Sequence, residues 1–167
     1  MDNYIVIANS TPLILLQKVK KLELLNTLYS KIYIPEAVYK EVIIDYERDS
    51  SDVDFISANS FIEIARVQNF KMKKMFAANL HEGEVETIML AMEMTADLCI
   101  LDDLLARKYA KNAGLNITGT LGVLIAAKNK GYINEVKPVL DALTYEGMFL
   151  SRELYLSVLS IVKELNE

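Results

Sequence analysis

The side chains best suited to chemistry in this chain are acidic, and they stand at the joints of residues 80–122. Asp102 and Asp103 end a short apolar run, Asp97-Leu98-Cys99-Ile100-Leu101, which is long enough for a buried parallel strand. A helix is predicted at once after them, from Leu104 to Asn112, stopped by Gly114. Before the run, His81 to Met94 predicts another helix, with Val85, Ile88, Met89 and Met92 on one apolar face. Glu84 falls on one edge of that face. Glu86 and Glu93 fall on the opposite edge and are expected to be solvated. In α/β sheets, ligands bind at the carboxyl ends of strands. An Asp pair placed there, with a Glu on the edge of the preceding helix, predicts a site for a hard cation, which takes oxygen ligands.

The elements that position these groups can be read from the start of the chain. Tyr4 to Ala8 is a β-branched run that predicts a first strand. Asn9-Ser10-Thr11-Pro12 follows, with Ser or Thr as cap and Leu13 to Gln17 as helix. Asn9 therefore lies at the carboxyl end of a strand, as Asp102 does. Leu22 to Tyr29 predicts a short helix, Lys31 to Ile34 a second strand, and Pro35 opens a helix to Tyr46. On that helix Glu41 falls between Ala37 and Val38 with Ile44 beside them. A carboxylate among apolar side chains is costly unless something pairs with it. Residues 45–54 are polar and read as a surface turn or the start of a short helix, and Phe61 to Val67 as an edge strand. A short strand at Asn116-Ile117 closes with Thr118-Gly119-Thr120. Helices follow over Leu121–Lys130, Asn134–Thr144 and Ser151–Leu165. The last carries a stripe of Leu154, Val158, Ile161, Val162 and Leu165. Alternating strands and helices imply an α/β fold with a parallel sheet covered on both faces.

Composition narrows the class. The 167 residues suit one domain, residues 1–167. A net charge of −5 shows no generally basic nucleic-acid surface, yet a metal in an acidic cleft can meet phosphates directly. The lone Cys99 excludes a disulfide framework and agrees with a reducing, cytoplasmic setting. The N-terminus lacks a basic region ahead of its interrupted apolar stretch, which argues against a signal peptide. No run reaches the roughly 20 apolar residues that span a membrane.

Each candidate also has a structural reading. Glu41 could pair with a nearby Lys. Glu84 could be a first-turn carboxylate favoured by the helix dipole. Asp102, Asp103, Asn9 and Ser10 could all be caps. His81 reads as a cap or surface group, and Lys71, Lys73 and Lys74 as a solvated face.

In order along the chain, the motifs are strand–Asn9-Ser-Thr-Pro-Leu, Pro35-x-x-Val38-x-x-Glu41 and Gly83-Glu84-x-Glu-x-x-Ile88. Leu101-Asp102-Asp103-x-x-Ala106-Arg107 and Thr118-Gly119-Thr120-x-Gly122-x-Leu124 follow. This ordered set resembles PIN-like domains, on the branch related to VapC-type toxin ribonucleases. The resemblance implies a three-layer sandwich whose central, mostly parallel sheet is flanked by helices. It also implies carboxylates clustered around Mg²⁺ or Mn²⁺ for RNA cleavage. Carried over residue by residue, Glu41, Glu84 and Asp102 are the expected catalytic carboxylates. The expected metal ligands are Asn9, Glu41, Glu84, Asp102 and Asp103, with Thr120 adjacent. Asn9 departs from the pattern, since the family usually has Asp there; its carbonyl oxygen can still coordinate. The resemblance further implies an antitoxin partner laid over the cleft and a homodimer.

The first functional expectation is thus a metal-dependent ribonuclease of toxin–antitoxin type. The second is a catalytically impaired module that binds RNA or an antitoxin-like protein. A third, a phosphoryl-transfer receiver or phosphatase, suits strand-end acidic pairs but lacks an Asp nucleophile after the first strand.

Overall fold

Five short runs rich in β-branched residues form the sheet: β1 (Val6–Ala8), β2 (Ile32–Pro35), β3 (Ile62–Ala65), β4 (Leu98–Ile100) and β5 (Ile117–Thr118). The computed structural model describes residues 4–49, 54–76 and 79–165. The strands lie in the order β3-β2-β1-β4-β5, and every neighbouring pair is parallel. The chain runs outward from β1 through β2 to β3, then returns to lay β4 on the other side of β1. That reversal makes the β1/β4 boundary a topological switch point, where α/β sheets open a crevice.

Successive strand residues point to opposite faces, and both faces are covered. Val6, Ala8, Ile32, Ile34 and Ile100 pack with α1 (Ser10–Lys18), α2 (Glu23–Tyr29), α8 (Thr120–Asn129), α9 (Lys137–Tyr145) and α10 (Arg152–Ile161). Ile7 and Cys99 pack the other way, against α6 (Glu82–Glu93) and α7 (Leu104–Asn112). The result is the expected three-layer α/β sandwich, with a sheet that is parallel throughout. Burial pushes the Cys99 thiol up to about 12, so it is packing material and not a nucleophile. The remaining helices are α3 (Glu36–Asp49), α4 (Phe55–Ala58) and α5 (Lys73–Phe76). No described helix is long and apolar enough to cross a membrane.

Several boundaries differ from the sequence reading, each for a physical reason. The first helix begins at Ser10, not Leu13, and Asn9 stands at its N-cap instead of Ser or Thr. The sheet ladder runs to the helix without a spacer, because the Asn9 N–H donates to Ile100 O at 3.0 Å. Pro12 then sits in the first turn, where its missing N–H costs nothing. The third helix continues to Asp49, so residues 45–49 are helical and not a turn; residues 50–53 lie outside the described residues. Ile44 is 57% exposed and does not join Ala37 and Val38, because Val38 and Val42 take the core side of α3.

The helix expected from Asn134 starts at Lys137 instead. The Glu164 carboxylate accepts the N–H groups of Val136 (2.8 Å) and Lys137 (2.7 Å) and ties that start to the C-terminal turn. Only Val158 and Val162 of the stripe on the last helix are buried. Leu154 (43%) and Ile161 (56%) stay exposed at the rim of a groove described below.

Glu86 is the largest correction on the central helix. It is 8% exposed, not solvated. Its Oε2 accepts the Ala37 N–H at 3.1 Å, in the first turn of α3, and its Oε1 meets Lys73 Nζ at 3.3 Å. It therefore supplies an N-terminal acceptor for α3 from a neighbouring helix. Glu93 is exposed as expected, and takes the N–H groups of Gln68 and Asn69.

Candidate active site

Strand register brings the first two candidates together. Ala8 pairs with Ile100, and Ile100 with Thr118, so Asn9, Leu101 and Gly119 leave the sheet side by side. Asp102 is one residue further on. The carboxyl ends of β1, β4 and β5 thus present Asn9, Asp102 and Thr120 at one end of the sheet. Glu41 arrives on α3, which follows β2, and Glu84 on the first turn of α6.

Glu41 has a seat made by a glycine. A Cβ on Gly83 would lie 2.5 Å from Glu41 Oε1 and 2.9 Å from Oε2, so no larger residue fits at 83 with the carboxylate where it is. The carboxylate rests on the N-terminal turn of α6, where the helix dipole favours negative charge. It accepts a hydrogen bond from Ser10 Oγ. The small residue ahead of Glu84 in the Gly83-Glu84 pair is therefore needed for Glu41.

Asp102 has a second seat of the same kind. Its two oxygens accept the Thr120 N–H (2.8 Å) and the Thr120 hydroxyl (2.6 Å). A Cβ on Gly119 would lie 2.6 Å from Asp102 Oδ1 and 2.7 Å from Arg107 Nη1. Arg107 Nη1 donates to Leu101 O at 3.0 Å. Asp103 is exposed and caps α7, with its Oδ1 accepting the Ala106 N–H at 2.8 Å.

Glu84 lies between these two groups. Its Oε2 accepts the His81 backbone N–H at 3.0 Å. Partial burial pushes the Glu84 carboxyl up; the charges of Asp103 and Glu41 push the same way, against the opposing effect of His81. Among the described residues, none of Glu41, Glu84, Asp102 or Asp103 forms an ion pair with Lys or Arg.

These groups line two continuous spaces. Asn9, Ser10, Glu41 and Glu84 border a cleft of about 420 Å³. Glu84, Asp102, Asp103 and Arg107 border a groove of about 1040 Å³, and Thr11, His81 and Glu84 belong to both. The groove then runs along an apolar wall of Leu104, Phe149, Leu154, Val158 and Ile161. Phe149 is 91% exposed there.

The donor set suits a hard cation, since every group is an oxygen ligand. Asn9 supplies the most direct sign. It is 3% exposed, and its Oδ1 is buried with no hydrogen-bond partner among the described residues. It makes no side-chain cap bond to α1. A buried amide oxygen without a donor is costly, and a cation is one group that would satisfy it. As the side chains stand, no three His, Cys, Asp or Glu among the described residues are close enough to share one ion. Glu84 is turned to its own helix cap and Asp102 to Thr120.

The sequence reading named the acidic residues and missed their supports. Gly83, Gly119, Ser10 and Arg107 each touch or seat a candidate. The glycines stood beside the acidic residues in the motifs, which was a usable signal. The Ser10 contact depended on helix packing and had none.

Residues 5–164 match the model of a PIN-domain family (DUF3368), nearly the whole chain. No curated protein matches the sequence. With its acidic cleft at the carboxyl ends of a five-stranded parallel sheet, the chain belongs to the PIN-domain family and has that family's nuclease-type fold.

Proposed function

We propose that this protein, as one PIN-like domain over residues 1–167, is a metal-dependent ribonuclease of toxin–antitoxin type. The observation that carries the reading is the orphaned, buried Oδ1 of Asn9 in a cleft shared with Glu41 and Glu84. Asn9, Glu41, Glu84 and Asp102 would hold a Mg²⁺ or Mn²⁺ ion, with Asp103 at the rim to orient water or a second ion. The ion would supply Lewis acidity and neutralise charge on the phosphate. Gly83 and Gly119 keep Glu41 and Asp102 in place, and Ser10 and Thr120 fix their rotamers by hydrogen bonding. Such preorganisation lowers the cost of gathering like charges before substrate arrives. Burial first, and then the charges of Asp103 and Glu41, raise the proton affinity of Glu84, and a bound cation would oppose that rise.

The test is cleavage of single-stranded RNA by purified protein with Mn²⁺, with Mg²⁺ and with chelator. Cleavage with either ion, abolished by chelator and lowered at least ~100-fold by Asp102→Asn at unchanged melting temperature, is the expected result. Equal rates for Asp102→Asn and wild type would sink the reading.

A second reading has its own support. The carboxylates are already satisfied by hydrogen bonds, and the groove beside them has a long apolar wall. A catalytically impaired module that binds RNA or an antitoxin-like protein would use that wall and not the cation. An antitoxin segment placing apolar side chains on Leu154 and Ile161, and a basic one near the carboxylates, fits the same groove. Binding without cleavage under all ion conditions would favour this second reading. A homodimer is expected on either reading, and a strict monomer in light scattering at high concentration would count against it.

A further inference from the structure

We propose that Arg107 is the phosphate-binding group of this cleft, holding a non-bridging oxygen pair of single-stranded RNA beside Asp102. The proposal rests on the ribonuclease reading and adds to it the group that seats the substrate backbone.

Arg107 is half-buried on α7 and borders the groove together with Glu84, Asp102 and Asp103. No other Lys or Arg among the described residues lines that groove. Guanidinium has five N–H donors in a planar fork. One, on Nη1, is spent on Leu101 O at 3.0 Å, which anchors the group to the end of β4. No side chain among the described residues pairs with the others. The absence of a Cβ at Gly119 keeps the approach open: a methyl group there would come within 2.7 Å of Nη1. Arg107 and Asp102 therefore flank the same glycine without forming an ion pair.

A cation whose only role was to neutralise Asp102 would be expected to close onto it. Here the Asp102 oxygens are taken by Thr120 instead, and the guanidinium is tethered by the backbone. The remaining donors are free to make the bidentate contact that Arg forms with phosphate oxygens. In an acidic cleft this contact also answers a physical problem. Without a cation, the carboxylates repel the polyanionic backbone, and one fixed positive group at the mouth gives the chain a place to dock.

The test measures anisotropy of a short fluorescein-labelled single-stranded RNA in Ca²⁺ across a salt series, beside KM and kcat for Mn²⁺-dependent cleavage. Arg107→Ala should weaken binding about tenfold and flatten the slope of log affinity against log salt by about 0.7, one lost phosphate contact. Arg107→Lys should keep the slope while losing several-fold in affinity, because Lys keeps the charge and lacks the fork. Lys108→Ala removes an exposed charge from the next position on α7, outside the groove lining, and should change neither. A purely structural Arg107 would leave the slope untouched, and wild-type affinity and slope in Arg107→Ala overturn the proposal. Equal losses in Lys108→Ala overturn it too, since they would report bulk charge. If Arg107→Ala does not fold, Arg107→Gln and Arg107→Lys decide on the same two readouts. A wild type that neither binds nor cleaves RNA defeats the ribonuclease reading along with this one. A wild type that cleaves, with Arg107 variants of unaltered slope, defeats this one alone.

Discussion

Two acidic regions lie within a few residues of each other on α6, and they are built on opposite terms. At the seam of α3, α5 and α6, Glu86 is buried and every oxygen has a donor: the Ala37 N–H on one and the Lys73 ammonium on the other. Glu82 shares the same lysine at 2.6 Å. At the cleft, Glu84 caps its own helix through the His81 N–H and borders the same spaces as Glu41, Asp102 and Asp103, and no Lys or Arg among the described residues pairs with any of the four. The first region is neutralised by the protein itself. The second has hydrogen-bond donors but no paired cation among the described residues. Two residues of helical offset separate a Glu paired with a lysine from one that borders the cleft. The buried carboxylate is held by a cation of the protein, whereas the cleft carboxylates are held by hydrogen bonds alone, with no Lys or Arg among the described residues paired with them.

Substitutions on each side of this contrast should behave differently. Glu86→Ala should have the largest effect on stability, about 3 kcal/mol. It strands the Ala37 N–H and leaves Lys73 with one carboxylate in place of two. Denaturant melts should show it in the presence and absence of Mn²⁺ alike; a loss confined to the cation-bound protein would mean Glu86 belongs to the site.

Asn9→Asp should act the other way, on the cleft alone. A unit charge at ~4 Å is worth roughly 4 kcal/mol at an effective dielectric of about 20, before solvation offsets most of it. Mn²⁺ affinity should therefore rise by about one to three kcal/mol, and any RNase activity with it, while the cation-free protein melts lower for carrying one more buried charge. Calorimetric titration checks the first effect. Equal affinities would mean that Asn9 does not face the ion.

Glu84→Gln should have the smallest effect, and it is the one that pH resolves. The folded Glu84 carboxyl sits above its ordinary 4.5, so the group contributes most to stability below that value and loses the contribution as pH rises through its folded one. Without cation, the Gln variant should melt slightly above wild type near neutral pH. The gap should close below about pH 3.5, where folded and unfolded forms are both largely neutral. Added Mn²⁺ should reverse the order, since only the carboxylate gains from the ion. A gap independent of pH would mean the change acts through the helix cap instead.

Much of this arrangement was legible in the chain. The β-branched runs, the helix after Asp102-Asp103 and its stop at Gly114 (φ 80°) follow from local preferences that hold wherever the segment is packed. So does the placement of Asn9 and Asp102 at strand ends, because a strand followed directly by a helix puts its last residues at the carboxyl edge. The wheel of α6 separated Glu84 from Glu86 correctly but assigned Glu86 to solvent. Amphipathic periodicity describes one helix against one core, whereas α6 is also covered from the side by α3 and α5.

The pattern of the last helix shows the same limit from the other direction. Its apolar stripe is continuous in the sequence, yet Leu154 and Ile161 border an open groove. Sequence by itself determined which residues could serve as oxygen ligands and which elements would carry them, because residue chemistry and backbone propensity are local. Only the tertiary structure decided which carboxylates would be satisfied by the protein, how Gly83 and Gly119 make room for Glu41 and Asp102, and where Arg107 points. Those outcomes depend on contacts between residues tens of positions apart, set by strand register and helix packing, on which no single segment carries information.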